Sequence, residues 1–247
     1  MGLVELVTLI VGLGAAGLAK GMSGMGLPLI ATPILAGAFG AKMAVTVVTI
    51  PIFVSNSLLL TQGFRRRGLL PGVVPFIVAS MIGTAIGTLL LAHLDQKTFA
   101  ILIAAMVIVF LARGDRLLGD DPRALRARIL GPLTCFVGGV LQGTTSIASP
   151  LVGSYFHAQR LPPADFVFIL AAIFELNSVV QFVGYSLQGL YTPDVLAVGL
   201  VAIIPTLVFL AVGIYMRGKL DALWFRRLII ALLVVSVANL LWRTFAA

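Results

Sequence analysis

Apolar and polar positions alternate along the 247 residues on the scale of whole segments, not of helix turns or strand pleats. Uninterrupted apolar runs occupy residues 3–19, 29–39, 43–60, 70–92, 99–112, 129–141, 151–156, 166–185, 195–216 and 228–242. A helix needs about 20 such residues to cross ~30 Å of hydrocarbon, and several runs approach that length. Transmembrane barrels show short alternating segments instead. The pattern therefore predicts an all-α polytopic membrane protein. Two runs, 29–39 and 151–156, are too short to cross. Each follows a small-residue break inside an otherwise apolar stretch: Gly21-Met22-Ser23-Gly24-Met25-Gly26-Leu27-Pro28 and Gly143-Thr144-Thr145-Ser146-Ile147-Ala148-Ser149-Pro150.

Composition removes the soluble alternative. The chain is 60% hydrophobic and 11% charged, against about 45–50% and about 25% in soluble domains, and its mean hydropathy is +1.12. The lipid bilayer is its solvent. A formal charge of +8 would point to nucleic acid in a soluble protein. Here the cations sit between apolar runs, where the positive-inside bias accounts for them and no nucleic acid is needed. The single cysteine, Cys135, excludes an intrachain disulfide and reads as a small hydrophobe. The leading apolar run lacks a basic flank and a small-residue cleavage site, so it is expected to be mature structure.

Aligning the two breaks matches Gly17 with Gly139, Gly21 with Gly143, Pro28 with Pro150 and Leu29 with Leu151, at a constant offset of 122 residues. With a one-residue gap, Phe53, Asn56, Ser57, Gly63 and Gly68 meet Phe174, Asn177, Ser178, Gly184 and Gly189. Further on, Gly87, Leu94, Asp95 and Phe99 meet Gly213, Leu220, Asp221 and Phe225. The order of these matches predicts a duplication, with halves 1–112 and 129–247 joined by a charged linker, 113–128. Equivalent loops carry opposite charge bias. Arg65, Arg66 and Arg67 have the uncharged mate Ser186-Leu187-Gln188, whereas Arg217, Lys219, Arg226 and Arg227 answer a loop with a balanced Asp95 and Lys97. By the positive-inside rule the halves are inverted and the arginine-rich loops and linker are cytoplasmic. Each half is then a broken or re-entrant helical hairpin, dipping toward the midplane, plus three transmembrane helices. Both termini lie outside. The 17 residues of run 3–19 nearly suffice to span alone, which would instead put the N-terminus inside.

Irregular backbone in the bilayer survives only where it is buried in protein or lines a water-filled cavity. Two breaks on inverted repeats are the pattern of a secondary-transporter site. Proline is tolerated in the first helical turn, so helices start near Leu27 and Ser149 with free N–H groups and positive dipole ends, which favour anions. Candidate substrate-binding residues are Lys20, Gly21, Ser23, Gly24 and Gly26 in the first break, and Gln142, Gly143, Thr144, Thr145, Ser146 and Ser149 in the second. Lys20 would supply the cavity's formal positive charge; its mate is Gln142. An ammonium this deep in an apolar run marks a site by default, or else snorkels from a shallower helix. Small residues in the breaks also serve close helix packing.

Glu175 is the acidic residue deep in a spanning run, with Asn177 and Gln181 on the same helix. A carboxyl in a dry site can exchange a proton during a transport cycle; it can equally be a structural partner of Lys20. Asn56, the mate of Asn177, is expected to cap the broken backbone or line the cavity. Tyr185, Tyr191, Trp224 and Trp242, near run ends, fit interfacial belts, and the terminal arginines read as topology signals. His93 and His157 lack metal-ligand spacing, so no metal or cofactor is expected. Without paired carboxylates or a nucleophile–base pair, an enzyme is not expected either.

The duplicated four-element halves, the Gly-Met-Ser-Gly-Met-Gly-Leu-Pro break with its weaker second copy, and the matched Leu94-Asp95 and Leu220-Asp221 ends together resemble the TauE/SafE family of sulfite and organosulfonate exporters. That resemblance covers nearly the whole chain. It implies a bacterial inner-membrane, multi-pass exporter of sulfite, sulfoacetate or a similar sulfur-containing anion. The residues alone support a small-anion carrier working by alternating access, with proton coupling through Glu175. An anion channel and a carrier of a non-sulfur carboxylate share the same features, and a homo-oligomer is compatible with all of them.

Overall fold

The computed structural model describes residues 2–113, 125–217, 219 and 222–245; most of the charged linker, and Leu220 and Asp221 of the second repeat end, lie outside them. Among the described residues ten α-helices follow one another: α1 (Leu3–Ser23), α2 (Leu27–Phe39), α3 (Ala41–Gln62), α4 (Leu70–His93), α5 (Gln96–Arg113), α6 (Leu125–Thr145), α7 (Ser149–Ala158), α8 (Pro163–Leu187), α9 (Pro193–Met216) and α10 (Ala222–Phe245). A 3-10 turn, Phe64–Leu69, carries the triple arginine between α3 and α4. Among the described residues, five segments are long and apolar enough to cross a membrane: Leu3–Ser23, Ala41–Gln62, Arg65–His93, Pro163–Leu187 and Pro193–Met216.

The solvent preference is inverted relative to a soluble protein. Leu89, Leu200 and Ile204 are 62%, 61% and 67% exposed, while Asn177 and Gln181 are fully enclosed. Contiguous exposed apolar surface on this scale needs lipid, and amides inside the bundle need partners there. The chain is a multi-pass membrane protein.

Glycine contacts set the helix packing. α1 lies against α9, and α4 against α6, at backbone distance. A Cβ on Gly21 would overlap the Leu210 carbonyl and the Gly213 Cα of α9. A Cβ on Gly143 would overlap the Thr84 carbonyl and the backbone of Gly87 on α4. Gly17 meets Thr206 and Gly139 meets Ser80, so residue numbers rise together on both sides and each pair runs parallel. Small residues permit such close approach, which is how helices associate where lipid removes the hydrophobic drive between them. α3 and α8 pack together between these pairs.

One end of the bundle gathers arginines. Arg66 pairs with Asp165 at the start of α8, Phe168 leaves no room for a side chain at Gly63, and Arg217 reaches the end of α1. At the opposite end the Lys42 ammonium donates to the Ala92 carbonyl at 3.3 Å and the Gln188 amide to the Thr88 carbonyl at 2.8 Å.

The two hairpins, α1–α2 and α6–α7, have unequal arms. Their first arms have 21 residues each, roughly 31 Å at about 1.5 Å per residue, against 13 and 10 in the returning arms. The arms are long because residues 20–23 stay helical and α6 begins inside the charged segment.

Candidate functional site

Both hairpins turn by the same device. Helix α1 ends where the Gly24 amide donates to the Lys20 carbonyl at 2.7 Å, and α6 ends where the Ser146 amide donates to the Gln142 carbonyl at 2.7 Å. Gly24 takes the left-handed conformation at φ +82°, and Ser146 takes it at φ +60°. Glycine adopts this region freely, whereas a residue with a Cβ pays about 1–2 kcal/mol. The second break thus keeps the turn without the glycine. Two residues on, Gly26 at φ +94° starts α2, and Ala148 starts α7 with φ −113°. Neither start has a side-chain cap, and Pro28 and Pro150 occupy first-turn positions.

These two starts line one small cavity of about 10 Å³, roughly the room of a single water. Lys20, Gly26, Leu27 and Pro28 line it from the first break, and Gln142, Ser146, Ala148 and Ser149 from the second; Asn56 and Phe174 close its sides. Lys20 is buried, with only 3% of the residue exposed. It donates to the Ser55 hydroxyl at 2.7 Å and to Asn56 Oδ1. Lys20 is therefore held in the interior and does not snorkel to an interface. Asn56 takes the lysine on its oxygen and does not cap broken backbone. That leaves Asn56 Nδ2 without a partner, and the Ser149 hydroxyl is likewise unpartnered. A buried N–H or O–H with no acceptor costs about 1–3 kcal/mol, so these donors at the cavity lack only an acceptor.

Glu175 stands across α3 from Lys20. Its Oε1 accepts from the Ser57 hydroxyl and its Oε2 has no partner. The tripeptide Ser55-Asn56-Ser57 thus carries the ammonium on its first two side chains and the carboxylate on its third.

The second break is held by an uncharged network. Gln181 Nε2 donates to the Gln142 carbonyl at 2.8 Å, to Ser146 Oγ at 3.1 Å and to Tyr185 Oη at 2.9 Å. The Tyr185 hydroxyl donates to the Gly143 carbonyl at 2.8 Å. Asn177 Nδ2 donates to Ser80 Oγ at 2.7 Å and to Gln142 Oε1 at 3.2 Å. Tyr185 is fully buried, so it belongs to this network and not to an interfacial belt; Tyr191 stacks on Phe182 at 5.5 Å. Trp242 is 73% exposed.

Six of the substrate-binding candidates stand apart from the cavity, three hydroxyls and three glycines. The Ser23 hydroxyl bonds to the Ala19 and Met25 carbonyls. Thr144 bonds back to Val140 and Leu141 carbonyls, and Thr145 to Leu141 while accepting from the Ile147 amide. These hydroxyls serve the turns. Gly21 and Gly143 provide close approach between backbones, and Gly24 takes the left-handed turn against the Val167 side chain. Ser55, Ser57, Ser80 and Tyr185 were not singled out by the sequence as site residues; only the Asn-Ser match at 56–57 and 177–178 hinted at them.

A family model described as Sulfite exporter TauE/SafE matches residues 8–240, which takes in both hairpins and every residue of this cavity. The chain belongs to that family. No curated protein and no solved structure matches it. Membership makes this TauE/SafE chain a transporter-type membrane protein of the sulfite-exporter kind, from a family of transporters and not of enzymes.

Proposed function

We propose that this chain is a secondary transporter that exports a small anion, sulfite or an organosulfonate such as sulfoacetate, from the cytoplasm across the bacterial inner membrane. One observation carries the reading: two uncapped helix starts, the Lys20 ammonium and two unpartnered buried donors, Asn56 Nδ2 and Ser149 Oγ, surround a single cavity. Positive dipole ends and N–H groups stabilise anions, and Lys20 adds one full charge. An oxyanion offers acceptors to all of them.

The halves are read as inverted repeats. Support comes from the exchange of partners: α1 with α9 repeats as α6 with α4, and α3 with α9 repeats as α8 with α4. The arginine-rich end is read as cytoplasmic. Alternating access then opens the cavity past one hairpin tip at a time. Glu175, on the same tripeptide as Lys20, exchanges the coupling proton.

The test compares purified wild type with Lys20→Ala in a thermal-shift panel of sulfite, sulfoacetate, sulfate and carboxylates, followed by sulfite flux in inside-out vesicles. The variant is expected to insert and fold, to lose the sulfite-induced shift, and to carry no sulfite. Wild-type flux in Lys20→Ala would overturn the site.

A further inference from the structure

The last turn of a helix leaves carbonyls without intrahelical donors. In α1 the Gly24 amide takes the Lys20 carbonyl, so the next acceptor is the Gly21 carbonyl, adjoining the residue that bears the site's charge. Arg217 supplies its donors: Nε at 3.1 Å and Nη2 at 2.6 Å both converge on that single oxygen. The reach follows from the packing. Gly213, four residues earlier on α9, lies backbone to backbone against Gly21, which brings the end of α9 to the end of α1.

The equivalent carbonyl in the other break is Gly143, and its donor is the Tyr185 hydroxyl at 2.8 Å. Tyr185 is uncharged, fully buried and tied to Gln181. Arg217 is charged and exposed at the arginine-rich end. The same backbone position is thus gripped from the dry interior in one half and from the wet end of the bundle in the other. A cation at that end satisfies topology whether it is Arg or Lys, but only the planar guanidinium presents two parallel N–H groups in a fixed fork. The double donation to Gly21 is a use of arginine that charge bias leaves unexplained.

We propose that Arg217 is a positioning residue for anion binding: by clamping the Gly21 carbonyl it fixes the last turn of α1 and with it the direction of the Lys20 ammonium. The inference rests on the anion site proposed above. It assigns to the end of α9 a role in the site although Arg217 touches neither the cavity nor its ligand.

Arg217→Lys keeps the charge and removes the fork; Arg217→Ala removes both. Each is purified and titrated with sulfite by isothermal calorimetry, and its flux is measured in vesicles over a range of sulfite concentrations. Arg217→Lys is expected to insert normally, to bind sulfite roughly tenfold more weakly, a scale set by losing one charge-assisted hydrogen bond, and to raise the half-saturating concentration while maximal flux holds. Arg217→Ala is expected to weaken binding at least as much. Wild-type sulfite affinity in either variant that accumulates in the membrane would overturn the positioning role. If Lys20→Ala loses sulfite binding while Arg217→Lys does not, this inference alone fails; if Lys20→Ala binds sulfite normally, the site itself fails.

Discussion

The two breaks have one backbone and two chemistries. Residues 24 and 146 make the same left-handed turn, their amides close on the carbonyls of Lys20 and Gln142 at the same 2.7 Å, and short helices restart within a few residues. Around that shared frame the first half places an ammonium and two hydroxyls, one of which meets the Glu175 carboxylate of the second half, and the second break is held by two glutamines, an asparagine and a tyrosine. On the proposed anion site, the two breaks share their turn geometry and differ in charge: the cation at the cavity, Lys20, comes from the first. A second lysine in place of Gln142 would set two cations in one small cavity, where Coulomb repulsion is weakly screened.

The comparison breaks most readily at the glycines. Gly21→Val and Gly143→Val each drive a side chain into opposing backbone with no flexible neighbour to yield. Each is expected to cost more than about 3 kcal/mol and to abolish folded protein, measured by detergent-solubilised yield and size-exclusion profile. A well-folded Gly21→Val beside a lost Gly143→Val would show that the α1–α9 contact is not the counterpart of the α4–α6 contact. A step smaller is Gln181→Leu, which leaves the Gln142 carbonyl short of a donor. Its melting temperature should fall by an amount equivalent to about 1–3 kcal/mol, with Lys20 untouched. A neutral effect would mean that the uncharged half is not held by its network. The smallest stability effect is expected from Glu175→Gln, whose amide still accepts from Ser57. Its melting point should stay near wild type while sulfite flux loses its dependence on a pH gradient; retained dependence would return Glu175 to a purely structural place in the charged half.

Much of this was legible from residue order. Glycine and proline inside apolar runs announce breaks because nothing else in lipid tolerates them cheaply, and Lys20 and Glu175 stand out because charge there is costly. The glycines matched between the halves, Gly21 with Gly143 and Gly87 with Gly213, are the ones that touch, in the crossed pairs Gly21–Gly213 and Gly143–Gly87. The length of the first arms was not legible, since residues 20–23 lower the apolarity of the run without ending the helix. Nor were the partners of the charges. Ser55, Ser57 and Ser80 look like ordinary small residues on helices until tertiary packing sets them opposite a lysine, a glutamate or an asparagine. Tyr185, at the edge of an apolar run, looks interfacial by position alone. Arg217 reads as a topology signal because its carbonyl partner lies 196 residues away.

The crossed glycine contacts have a consequence for the halves as separate pieces. Cut at the linker, the first piece would keep α1 without α9 and α4 without α6, and two bare stripes of glycine would face lipid. The second piece would be stripped in the complementary way. On the proposed inverted arrangement, either fragment would regain its missing neighbours from a copy inserted upside down, and a single-repeat protein would be whole as a pair of oppositely oriented chains.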